Sequence, residues 1–220
     1  MTTTVTWQVG QGTDDCSLRK QVAEDFDLNG PAARVGDYNA NNYDDEAGFR
    51  FTNVAIPKNA TIVSAYLWIK AWDIYGYPAP IAYVKGEAAD NPITFSTASD
   101  YKARPRTTAY VNWQPPSWVD GTWYPSPNLK NILQEIIDRN NWESGNALVL
   151  FWYEADGYVG RQCEIDFYTY NFNPNDAAKL EVTWVVPHTT PLQTKSTFKR
   201  GRGKGTFTVG RAKAFFTSAT

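Results

Sequence analysis

A single histidine, His188, stands among 220 residues, and that scarcity removes whole classes of chemistry. Ser-His-Asp and Cys-His machinery needs an imidazole to take up the nucleophile's proton, and multi-histidine metal centres need several. Cysteine is almost as scarce. Cys16 and Cys163 are the only two, too few for a disulfide-rich scaffold or a four-ligand zinc site. They either pair, closing a long loop worth up to roughly 5 kcal/mol, or sit as two buried thiols. No segment approaches the roughly 20 apolar residues of a transmembrane helix, so no membrane partner is expected. The opening MTTTVTWQVG has neither a basic n-region nor an apolar h-region, which reads as a chain made without an N-terminal signal peptide.

Helical periodicity is also scarce, whereas Pro (13), Gly (15), Tyr (13) and Trp (9) are plentiful. That balance predicts an all-β core with many loops. TVTWQV in residues 1–9 alternates like an edge strand. The stretch from Asp25 to Glu46 is polar and reads as loop. GFRFTNVAI (48–56), TIVSAYLWIKAW (61–72), IAYVKGEA (81–88), TTAYVNW (107–113), CEIDFYTY (163–170) and KLEVTWVV (179–186) read as strands, with Ile62, Leu67 and Ile69 facing inward. ALVLFWYE (147–154) is nearly continuous in apolar residues, as suits a central strand. One amphipathic helix is expected, with Ser126 as N-cap, Pro127 at the first helical position, and Leu129, Ile132, Leu133, Ile136 and Ile137 as its packing stripe.

A boundary falls at Pro187, giving a body of residues 1–186 and a tail of residues 187–220. The tail holds seven Lys or Arg and no Asp or Glu, leaving the body with 14 basic against 23 acidic residues, a formal −9. It is built of nonapeptide repeats: KSTFKRGRG, KGTFTVGRA, then KAFFTSAT. Lys195, Lys204 and Lys213 fall in one column, Phe198, Phe207 and Phe216 in another, and Arg202 and Arg211 in a third. Short strands between Gly-Arg turns fit that pattern. An acidic body with a basic, regular tail has the charge pattern of a protein that docks or assembles. Lys and Arg interleaved with Phe also suit nucleic acid, but the acidic body would repel a phosphate backbone.

Acid–base catalysis would have to use carboxylates such as Glu154 with Asp156 or Glu164 with Asp166. Each pair lies two residues apart, on or beside a strand, and reads as solvent-facing alternation, so no enzyme is expected. Asp14, Asp15, Asp37, Asp44, Asp45 and Glu46 supply oxygens of the kind calcium takes, in no EF-hand spacing. Trp72, Tyr75, Tyr77, Trp113, Trp118, Trp123 and Tyr124 lie in WDIYGYP and WQPPSWVDGTWYP. In such loops flat rings either stack on sugars or protein surfaces, or cap the core.

GFRFTNVAIPKNATIVSAYLWIKA, GEAADNPITFS, RPRTTAYVNW, SPNLKNILQEIIDRNNWESGNALVLFW and AAKLEVTWV together resemble the carbohydrate-binding-module-like jelly-roll domains grouped with the DNRLRE-type domains. These occur in bacterial surface proteins and phage structural proteins. The likeness runs over roughly residues 5–186 and is most specific from Ser126 to Trp152; the tail has no counterpart in it. It implies a jelly-roll β-sandwich that binds, adheres or builds, with a structural calcium near the N-terminal strand. Two functions follow as expectations. The first is a non-enzymatic structural or decoration protein of a phage virion or surface assembly, docking to neighbouring copies through the tail. The second is a glycan-binding module, with calcium as a potential cofactor.

Overall fold

The computed structural model describes residues 2–20, 25–37, 44–72, 79–116, 118–154 and 163–187. They belong to a compact unit, Met1–Pro187. Twelve strands among the described residues form one antiparallel, curled sheet: β1 (Thr2–Gln8), β2 (Asp15–Lys20), β3 (Asp25–Asp27), β4 (Ala32–Asp37), β5 (Asp44–Phe51), β6 (Thr61–Trp72), β7 (Ala82–Glu87), β8 (Arg106–Trp113), β9 (Trp123–Pro125), β10 (Leu148–Glu154), β11 (Cys163–Tyr168) and β12 (Lys179–Val185). The main path runs β1-β12-β6-β11-β4-β5-β10-β7-β8, with β2 and β3 added at β5 and β9 at β6. The fold is all-β, as composition predicts.

Alternation explains the curl. Leu180, Val182 and Trp184 of β12, Leu67, Ile69 and Ala71 of β6, and Phe49 and Phe51 of β5 are all buried in the same cluster as Leu148, Leu150 and Trp152 of β10. One face of these strands carries the apolar side chains, so the sheet bends until those faces meet. Val149 and Phe151 of β10, with Cys16 and Leu18 of β2, build a second, smaller cluster on the other face with Phe95 and Tyr101. The polar stretch read as loop departs from this simple picture, since it holds β3, β4 and the start of β5. Its β4 is AARVGD, whose inward Ala33 and Val35 are small and few, and periodicity over two apolar positions is too weak to see.

Among the described residues two α-helices accompany the sheet where one was expected. α1 (Ala98–Ala103) buries a single aromatic, Tyr101, and is capped by the Thr97 side chain, which accepts from the Asp100 N–H. α2 (Lys130–Ile137) packs Ile132, Leu133, Ile136 and Ile137 inward. It starts later than the sequence predicts. Ser126 is not its cap: the Ser126 Oγ accepts from the Leu67 N–H at 3.0 Å and so extends the edge of β6. Gly86 lets α2 lie close, because a Cβ there would come 2.6 Å from Ile136 Cδ1 and 3.0 Å from Ile132 Cγ2.

Candidate functional site

On β6 the residues alternate with Leu67, Ile69 and Ala71 inward, which turns Tyr66, Trp68, Lys70 and Trp72 onto the outer face, all half-buried. Cross-strand partners extend this row. Lys179 of β12 stands opposite Trp68, and Glu181 opposite Tyr66. Trp123 of β9 stands opposite Lys70. Trp68, Trp123, Lys179, Glu181 and Thr6 of β1 line a shallow cleft of about 290 Å3, in which the Lys179 ammonium lies 4.0 Å from the centre of the Trp123 ring. Further along, Trp72 stacks on Tyr168 at 5.4 Å and 7°, and Phe172, 49% exposed, packs on both. Lys70 bridges to Asp176 at 2.8 Å.

The same outer face continues beyond β6 onto β11 and β4. Asp166 of β11 pairs across strands with Trp72 on one side and Arg34 of β4 on the other. One row away, Glu164, Gly36, Asp45, Arg19 and Asp25 follow one another over β11, β4, β5, β2 and β3. Gly36 is required there: its φ is +118°, and a Cβ would fall 2.2 Å from the Cys163 carbonyl oxygen. Without a side chain at that place, the charged groups close over it. Arg34 Nε lies 3.2 Å from Asp166 Oδ1 and 3.7 Å from Asp45 Oδ2, its Nη1 lies 3.9 Å from Glu164 Oε2, and Arg19 Nε donates to Asp45 Oδ1 at 3.3 Å. Burial pushes the Asp45 carboxyl up to about 7 against the pull of Arg19 and Arg34. Burial, with the neighbouring Asp166 charge, does the same to Glu164. A cavity of about 310 Å3 opens beside this cluster, walled by Ser17, Arg19, Asp25, Asp27, Arg34 and Trp72.

Several sequence-predicted residues lie elsewhere. Trp113 and Trp118 are core side chains, not surface rings: Trp113 stacks on Trp152 at 4.3 Å. Trp118 stacks on Tyr124 at 4.6 Å and donates from Nε1 to the Asp166 carbonyl at 2.7 Å. Tyr124 packs on the core from a half-buried position, its hydroxyl accepting from the Val119 N–H. Of the aromatic list, Trp72 and Trp123 reach the outer face, and Tyr75 and Tyr77 lie outside the described residues. Alternation along β6 was the signal that would have found Trp68. Glu164 and Asp166 are 3% and 6% exposed, which overturns their reading as solvent-facing. The Glu154 side chain and Asp156 lie outside the described residues.

Of the acidic residues offered for calcium, Asp37 and Asp44 are register partners across β4 and β5, but the pair Asp14 and Asp15 is held elsewhere. Asp14 bonds Arg50 at 2.8 Å, and Asp15, raised to about 7 chiefly by burial, accepts from the Tyr170 N–H. Asp45 serves Arg19 and Arg34. Asp15 pairs with Phe49, four residues along β5 from Asp45, or about 13 Å at strand spacing. The Asp44 side chain is outside the description. Among the described residues no group of three or more His, Cys, Asp or Glu could hold a metal. Cys16 and Cys163 are both buried and no disulfide joins them. β5 and β4 stand between their strands, about three strand spacings of 4.8 Å, where a disulfide needs Cα atoms within about 7 Å. Lys195, Phe198, Arg202, Lys204, Phe207, Arg211, Lys213 and Phe216 of the tail lie outside the described residues.

No family model matches the chain, and no curated protein is found similar to it.

Proposed function

We propose that the body is a non-enzymatic glycan-binding module of jelly-roll type, which holds a polysaccharide along the outer face of β6. The observation that carries this is the outward row Trp68, Lys70 and Trp72 with Trp123 beside it. An outward strand face is ordinarily polar, and grouped apolar rings left half in water mark an interaction surface. The C–H faces of a pyranose ring stack on indole, and its hydroxyls reach the Lys179, Glu181 and Thr6 side chains that line the cleft. Trp68 and Trp72 are four residues apart on one strand, roughly 13 Å, so the face suits an extended chain better than a single sugar. Affinity electrophoresis of the full chain against a panel of soluble polysaccharides tests this. Trp68→Ala and Trp123→Ala each lower binding about tenfold or more, the loss typical of a buried aromatic anchor, with circular dichroism unchanged. A blank panel, or variants that bind as tightly as the parent, sinks the reading.

A second reading, that the protein is a structural or decoration component of a virion or surface assembly, is favoured by the tail. Its Lys, Phe and Arg columns repeat every nine residues with no acidic residue among them. Regular apolar side chains on a basic ribbon suit strand addition to an acidic neighbour, and a surface component that also holds glycan satisfies both readings. Light scattering of the full chain and of a version ending at Val186, at low and high salt, separates them. Loss of an oligomer on truncation supports assembly. Equal masses at every salt remove self-assembly and leave the glycan reading untouched.

A further inference from the structure

We propose that the cavity beside Trp72 is a selective subsite that takes one uncharged, hydroxyl-rich sugar unit of the bound glycan and turns acidic sugars away. The proposal rests on the glycan reading above and names the substrate class of that surface. Continuity is the first support. Trp72 belongs both to the aromatic row of β6 and to the cavity wall; its register neighbours Asp166 and Arg34 lie on the same outer face, and Arg34 reaches Asp45, which holds Arg19 of the cavity wall. A chain lying on Trp68 and Trp123 therefore reaches the cavity without crossing an edge of the sheet.

The cavity also presents fixed donors and acceptors together. Arg19 is anchored through its Nε–H on Asp45, and its Nη groups have no other partner among the described residues. That leaves a planar fork of donors at the cavity. Asp27, in the same cavity wall and in register with Ser17, is held as a turn acceptor by the Asn29 and Gly30 N–H groups, both on Oδ1 at 2.7 and 2.9 Å. Vicinal hydroxyls, each donor and acceptor at once, match a guanidinium and a carboxylate in one cavity wall, while the part of the Trp72 indole not covered by Tyr168 and Phe172 gives C–H groups an apolar wall. A water-filled surface dent offers no such pairing of a ring wall with oriented polar groups.

Charge sets the selectivity. Asp25, Asp27, Asp45, Glu164 and Asp166 stand around two guanidiniums, Arg19 and Arg34. Asp25 and Asp27 make no ion pair among the described residues, and both Glu164 oxygens are buried without a hydrogen-bond donor. Even with Asp45 and Glu164 neutral, three carboxylates face two guanidiniums. A sugar carboxylate or sulfate entering here meets net negative charge at short range, where like-charge contact is strongly unfavourable.

The test is calorimetric titration of the full chain with neutral hexasaccharides of glucose, mannose, galactose and xylose and with the uronate hexasaccharides of glucose and galactose. One neutral series binds, and every uronate binds at least about tenfold more weakly. Asp25→Asn, on the exposed strand β3, narrows that gap without altering the melting temperature. Arg19→Gln weakens the neutral sugar about fivefold or more; as it also removes a partner of Asp45, its fold is checked by thermal melting. If uronates bind as well as or better than neutral sugars, or if a neutral sugar binds and neither variant changes anything, the subsite is overturned while the β6 face stands. If nothing binds and Trp68→Ala is equally silent, the glycan reading itself has failed.

Discussion

Two tryptophans from one loop went opposite ways, and the difference is a matter of single contacts. Trp118 has a buried acceptor for its indole N–H in the Asp166 carbonyl and a ring partner in Tyr124. Trp123 lies on a short strand whose register with β6 turns it outward beside Lys70. Composition and loop context are identical for both, so only neighbours brought from β6 and β11 separate them. The consequence is a measurable contrast. Trp118→Ala lowers the unfolding free energy by about 3–5 kcal/mol, as for other large-to-small core changes, read from urea melts, whereas Trp123→Ala leaves the midpoint nearly unmoved and acts on glycan binding. The acidic residues behave alike. Nothing in the spacing of Glu164 and Asp166 distinguishes exposed from buried. Their partner, Arg34, sits 130 residues or more away in the chain, in a stretch that looks like loop.

At the scale of elements, strong alternation was sufficient. β6 runs over Thr61–Trp72 and β12 over Lys179–Val185, the first as predicted and the second one residue shorter, because six or more alternating positions leave one register compatible with a buried face. β10 lies between β5 and β7, as its nearly continuous apolar run implies. Weak patterns were not legible. β4 has two inward positions, α1 one, and the start of α2 was obscured by a serine-proline pair that serves the edge of β6 instead. α2 also has a role its stripe does not announce. The Glu135 carboxylate accepts from the Thr108 and Ala109 N–H groups at 2.8 Å each, so it satisfies part of the outer edge of β8, the last strand on the sheet path. Gln134 clamps the other side, accepting from the Ile62 N–H and donating to the Ala60 carbonyl. Glu135→Ala is expected to lower stability by about 1–2 kcal/mol and to raise amide exchange at residues 108 and 109 before the rest of the sheet, as hydrogen–deuterium exchange would show.

For the molecule as a whole, buried carboxyls set the response to pH. Burial raises Asp15, Asp45 and Glu164 each to about 7, from ordinary values of 3.8, 3.8 and 4.5. Between those values the folded chain holds protons that the unfolded chain has released, so stability falls as pH rises from about 4 to about 7 and levels off above. Urea midpoints measured at pH 5 and pH 8 should therefore favour pH 5. Asp45→Asn should flatten the slope, since an amide keeps the shape without the titration. An equal midpoint at both values would mean that these groups are solvated in solution. What the sequence by itself determined was the β class, the long strands, the stripe of α2, the change of charge at Pro187 and the repeat beyond it. All are local periodicities or sums, which need no knowledge of neighbours. Which face of the sheet carries the candidate site, which tryptophans belong to it, and why the acidic residues cluster around Arg19 and Arg34 were decided by tertiary structure alone. Strand register brings residues more than a hundred positions apart into one row, and burial then resets the charge state and exposure of groups that are chemically identical in the sequence.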